Sequence, residues 1–192
     1  MKVFFKVLVV ALLVFIPGLA GYAQTQIKQR NIAQAPAARA EDTITISLPQ
    51  SALVRTARDS MSGRVSGFDS QGRKLTLSAE NGFSQSLAIA QIKSVTFTGD
   101  VWIPSAGGAR RIRGQERVAT TTGQQIWRSV PLNAFELRDA NQGQAIVRLR
   151  TVVSGDELED IRNVAATTPY VVDEISFESS GKMTIKATPY SP

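Results

Sequence analysis

Alternation at period two runs through most of the chain and is clearest over residues 62–97, SGRVSGFDSQGRKLTLSAENGFSQSLAIAQIKSVTF. Val65 and Gly67 share one face of a first strand, with Arg64, Ser66 and Phe68 on the other. Asp69-Ser70-Gln71-Gly72 reads as a turn, because Asp bonds its own backbone and Gly tolerates positive φ. Leu75 and Leu77 flank Thr76, and Asn81-Gly82 is a two-residue hairpin signal. Leu87 and Ile89 continue the pattern, and Val95 and Phe97 alternate with Ser94, Thr96 and Thr98. Short strands joined by tight turns predict a small barrel or sandwich rather than a βαβ unit. Leu75, Leu77, Ile89, Ile92, Val95 and Phe97 hold the inward positions and form the candidate core.

The same period recurs on both sides. Residues 43–48 (TITISL) predict a strand closed by Pro49, and residues 50–61 fit either a strand through Leu53-Val54 or one helical turn. Residues 100–114 (DVWIPSAGGARRIRG) read as a loop from their Pro, Ser and paired Gly. Residues 125–130, with Trp127, predict a strand, and so do residues 145–153, where Ile146, Arg148 and Arg150 face opposite to Val147 and Leu149. Residues 131–137 (PLNAFEL) match residues 88–95 (AIAQIKSV), pairing Leu132, Phe135 and Leu137 with Ile89, Ile92 and Val95. That hints at a second copy of the unit about 40 residues on.

One segment changes period. Over residues 154–166 Ser154 and Glu157 have capping-box spacing, and Leu158, Ile161 and Ala165 form a helical stripe. Asp156, Glu157, Glu159 and Asp160 crowd the first turns, where the helix dipole favours negative charge. A helix spreads these acids around its axis, so they read as a solvated N-terminus rather than a calcium loop. Residues 170–187 predict a closing hairpin turned at Ser179-Ser180-Gly181.

Residues 1–23 have the form of a secretory signal. Lys2 and Lys6 make a positive start, residues 7–16 are unbroken apolar, and Gly21-Tyr22-Ala23 places small residues for cleavage before Gln24. The apolar run is shorter than the ~20 residues of a spanning helix and is broken by Pro17-Gly18. No Cys follows for lipid attachment and no Arg pair precedes it, so general secretion is expected. Losing Lys2 and Lys6 takes the formal charge from +6 to +4. Residues 24–42, rich in Gln, Ala and Arg, read as a flexible linker.

Composition narrows the chemistry. A 43% hydrophobic content over 192 residues supports a packed core of one domain or two small ones. The absence of Cys and His removes thiol nucleophiles, disulfides, thiolate metal sites, histidine bases and Ser-His-Asp triads. Asp173 and Glu174 fall on opposite faces of their strand, and no Ser-x-x-Lys appears on a helix. No catalytic, metal or cofactor-binding residue is nominated, and the protein is expected not to be an enzyme. Arg110, Arg111, Arg113 and Arg117, with Trp102 nearby, form the candidate binding cluster: Arg suits carboxylate or phosphate, and Trp suits a sugar or guanidinium face.

Gly63, Val65, Phe68 and Asp69 resemble the first motif of Sm-like proteins, which are SH3-like small barrels, and Ile92-Lys93-Ser94-Val95 stands where that family carries its second turn. The likeness covers 36 of 192 residues, and Gly72-Arg73 and Ser94 replace the Asn and Gly the family's RNA site uses. It implies a fold rather than a nucleic-acid function. The expected architecture is mainly β: one or two SH3-like antiparallel barrels, a late α-helix and a C-terminal hairpin. The expected units are residues 43–100 and 101–192. The expected function is an exported, non-catalytic binding or scaffolding module of the cell envelope, periplasmic, luminal or extracellular. Its partner would be another envelope protein or an anionic envelope polymer, with membrane contact only through an uncleaved signal. A secreted hydrolase using carboxylates alone is the alternative. An Sm-like nucleic-acid binder would require the chain to stay inside the cell.

Overall fold

The computed structural model describes residues 43–105, 107–114, 123–150, 152–153 and 155–190. The signal and linker readings (residues 1–42), Arg117 and the proposed Ser154 cap lie outside these residues. The chain is mainly β, with one α-helix among the described residues. The strands are β1 (Thr43–Ser47), β2 (Ser51–Thr56), β3 (Ser60–Asp69), β4 (Lys74–Ser78), β5 (Ser84–Ala88), β6 (Ile92–Thr98), β7 (Val101–Ser105), β8 (Gly108–Ile112), β9 (Gln125–Pro131), β10 (Phe135–Asp139), β11 (Gln144–Arg148), β12 (Tyr170–Phe177) and β13 (Lys182–Pro189). Helix α1 spans Gly155–Thr167, burying Leu158 and Ile161. The ambiguous stretch after Pro49 is therefore strand.

Eleven strands form one curled sheet in the order β10-β11-β1-β12-β6-β2-β3-β4-β5, with β13 between β12 and β9; β7 and β8 pair apart. Strand β12 joins the halves. Along one edge it pairs with β13, and along the other it meets β1 at Tyr170 and Val171 and β6 from Glu174 to Ser176. Strands from before and after residue 100 therefore interleave in a single sheet. Phe68 of β3 also meets Phe135 of β10 edge to face.

All six candidate core residues are buried: Leu75, Leu77, Val95 and Phe97 at period two, Ile89 in a 3₁₀ turn, and Ile92 three positions before Val95, across a register shift. Register shifts at five places among the described strands, and two of these shifts re-aim side chains that the pattern had placed. In β3 the register with β4 shifts between Val65 and Gly67, so Val65 and Phe68 both turn to the core although they lie three positions apart. The expected placement of Phe68 opposite Val65 fails for that reason. In β12 a shift between Val172 and Glu174 lets Tyr170, Val172 and Ile175 all reach the main core, ending the simple odd-even alternation.

Turns carry further corrections. Asn81-Gly82 is not a two-residue hairpin loop: β4 and β5 are joined through residues 79–83, closed by Ala79 N–H to the Phe83 carbonyl at 2.8 Å. Strand β11 ends at Arg148, short of the expected residue 153. The Asp69 turn forms as expected, with Oδ1 accepting from the Gln71 and Gly72 amides. The hinted likeness of residues 88–95 and 131–137 is a shared strand–3₁₀–strand geometry. Ile89–Gln91 and Leu132–Ala134 each form a 3₁₀ turn closed by the following residue's N–H, from Ile92 to Ile89 and from Phe135 to Leu132.

Candidate functional site

The segment expected as a basic loop forms the hairpin β7–β8. Pro104 stands in β7 without breaking it, since a two-stranded ribbon leaves a free edge for a residue lacking N–H. Val101, Ile103 and Ile112 bury one face against Val171, with Tyr190 alongside. Register then divides the arginines. Arg110 pairs with Ile103, and Arg111 pairs with half-buried Trp102 on the opposite face; both arginines are exposed. Trp127 lies in the main core.

Asp100 anchors this hairpin. Its backbone carbonyl accepts from the Gln50 amide at 2.8 Å, and Oδ1 accepts from the Gly114 amide at 2.9 Å. Oδ2 accepts from Arg111 Nε at 2.9 Å and lies 2.6 Å from Arg111 Nη2. The Gly114 amide first, then the Arg111 guanidinium, hold the carboxyl below its ordinary value of 3.8 against some desolvation, and the Arg113 charge acts in the same direction. Arg111 is thus committed to an internal partner. Asp100 offsets part of the cluster's charge.

A second place gathers chemistry that no motif announced. An open groove of about 950 Å³ is lined by Gln50, Ser51, Ser62, Gly63, Arg64, Ser78 and the loop residues 79–82. Inward Val65, Leu75 and Leu77 put Arg64, Thr76 and Ser78 on the outer face. Arg64 is paired in register with Ser78, and Ser78 with Ser84. The hydroxyls of Ser78 and Ser84 bond across the strands at 2.9 Å, and those of Thr76 and Ser86 at 3.0 Å. Gly63 keeps the strands close, for a Cβ there would stand 2.9 Å from the Ser78 carbonyl oxygen.

Arg64 is half-buried, yet no hydrogen bond or ion pair engages its side chain among the described residues. Phe83, next to the groove loop, is 77% exposed. The signal for this surface was present in the sequence as Ser and Thr at the outward positions of strands whose inward positions are Leu. Among the described residues no three Asp or Glu side chains converge to hold a metal ion. No family model, no curated protein and no solved structure matches the chain.

Proposed function

We propose that the protein is an exported, non-catalytic binding module of the cell envelope, with the groove along β3, the end of β4 and loop residues 79–82 as its ligand surface. The observation that carries this reading is the lining: three serine hydroxyls, two side-chain amides, Arg64, unpaired among the described residues, and a single carboxylate, Glu80. Such a set recognises a polar ligand by hydrogen bonds and one charge contact. Carboxylate-only hydrolysis needs two acids roughly 5–10 Å apart, and this lining offers one. Export is supported by the Lys2/Lys6 start and the apolar run.

The strand order supports a finer reading of the fold. Strands β2 to β6 pair as 6-2-3-4-5, with a long bulged β3 between β2 and β4 and a 3₁₀ turn before β6, the order of an SH3-like barrel. Strands β12-β13-β9, the 3₁₀ turn, then β10-β11 repeat that neighbour order cyclically permuted, with β1 inserted between β11 and β12. Two SH3-like barrels sharing a sheet would explain why the 3₁₀ geometry recurs while the strands around it differ in chain order.

The test is capture from native envelope with the wild-type protein and a Ser62→Trp variant that fills the groove from an exposed position. Intact mass of the native protein should show a mature start near Gln24. An envelope component held by wild type and released by Ser62→Trp is the expected result. Equal capture by both, or a full-length cytoplasmic form as the sole species, would overturn the reading.

A further inference from the structure

We propose that the groove binds a carboxylate-bearing oligosaccharide, with Arg64 taking the carboxylate. This rests on the groove being the ligand surface and specifies the ligand's class. Three features carry it. Arg64 is a half-buried guanidinium without a partner among the described residues, and a planar fork of donors matches a carboxylate better than it matches water. The surface around it is hydroxylic: Ser62 and Ser78 in the lining, then Thr76, Ser84 and Ser86 across β4 and β5. Each bonded hydroxyl pair spends one proton and retains a donor and acceptor lone pairs for a ligand. A polyol answers such a surface group for group. An acidic peptide would meet those hydroxyls only through its backbone amides, without the ring of hydroxyls a sugar presents, and hexaglutamate is the control that separates the two.

The third feature is Phe83, left 77% exposed where the loop lining the groove ends. A solvent-facing phenyl ring costs apolar hydration, and a sugar's C–H face is a fitting cover for it. Charge and hydroxyls on one surface, with an exposed aromatic ring at the end of its loop, meet the three demands of an acidic sugar chain. The β7–β8 hairpin lacks this combination, because Arg111 is held by Asp100.

The probe is a hexamer of galacturonic acid, titrated calorimetrically into the full chain, with its methyl ester as the uncharged counterpart. Hexaglutamate and inorganic phosphate serve as charge controls. The hexauronate should bind, and esterification should weaken it about ten- to a hundredfold, the loss of one charge-assisted pair. Arg64→Gln should cause a similar loss and make acid and ester nearly equal, with an unchanged melting temperature. Phe83→Ala should weaken both ligands alike, and Arg110→Gln should change neither. No hexauronate binding, binding indifferent to Arg64→Gln, or hexaglutamate binding as tight as the hexauronate would overturn the proposal. If envelope capture depends on the groove while the hexauronate does not bind, the ligand class fails and the groove reading stands. If capture fails as well, both fall.

Discussion

Arg111 and Asp100 close the neck of the β7–β8 hairpin, with Nη2 2.6 Å from Oδ2 and the Gly114 amide on the other carboxylate oxygen. The pair spans eleven positions of sequence and makes a structural clasp from part of a basic cluster.

This clasp predicts an asymmetry between neighbouring arginines. Arg111→Gln should raise hydrogen exchange at the Gly114 amide, while Arg110→Gln, at an exposed position, should leave it unchanged. Equal exchange in the two variants would show that the clasp does not hold the neck.

The same clasp predicts a pH dependence. The folded Asp100 carboxyl titrates below its ordinary value of 3.8, so its contribution is fully present above that value and is lost as pH falls through the folded value. Exchange at Gly114 should stay flat from neutral pH to about 4, after correction for intrinsic rates, and rise only in stronger acid. A rise centred near pH 6 would contradict this assignment.

Phe68 and Phe135 meet with ring centroids 4.8 Å apart at 65° and couple the two halves of the sheet. Phe135→Ala should cost about 3–5 kcal/mol in denaturant unfolding, since that ring is buried. A double-mutant cycle with Phe68→Ala should return a coupling of about 0.5–1.5 kcal/mol. A coupling near zero would mean that the halves are held through β12 alone.

Gly143 follows the Asp139 turn with φ of +66°, and an added Cβ would collide with the Leu48 carbonyl oxygen. Gly143→Ala should therefore destabilise by about 1–3 kcal/mol or more. Gly107→Ala, where an added Cβ meets nothing, should be nearly silent. Similar melting temperatures for the two variants would refute the close approach.

Much of this fold is legible in the sequence wherever neighbours along the strand decide it. Leu75, Leu77, Val95 and Phe97 are buried because alternate residues must share a face. The bulges at Ser66 and Asp173 are not legible, because one extra residue shifts every later side chain and leaves no compositional mark. The β7–β8 hairpin was hidden by Pro104 and the paired glycines, which signal a break but are tolerated in a two-stranded ribbon. Contacts such as β12 with β6, or Asp100 with Arg111, depend on chain separations that local patterns do not encode. The candidate site followed the same rule. Clustered arginines attract notice in a sequence, whereas Arg64 stands alone and gains its setting only when Ser78 and Ser62 are brought beside it.

The most direct measurement is where a bound ligand perturbs the amide spectrum. With the hexauronate or the captured envelope component added, the largest ¹⁵N-¹H shifts should fall on Ser62, Arg64, Ser78, Asn81 and Phe83, with those of Arg110 and Arg111 unmoved. Shifts centred on the β7–β8 hairpin instead would place binding on the arginine cluster and contradict the assignment of the groove.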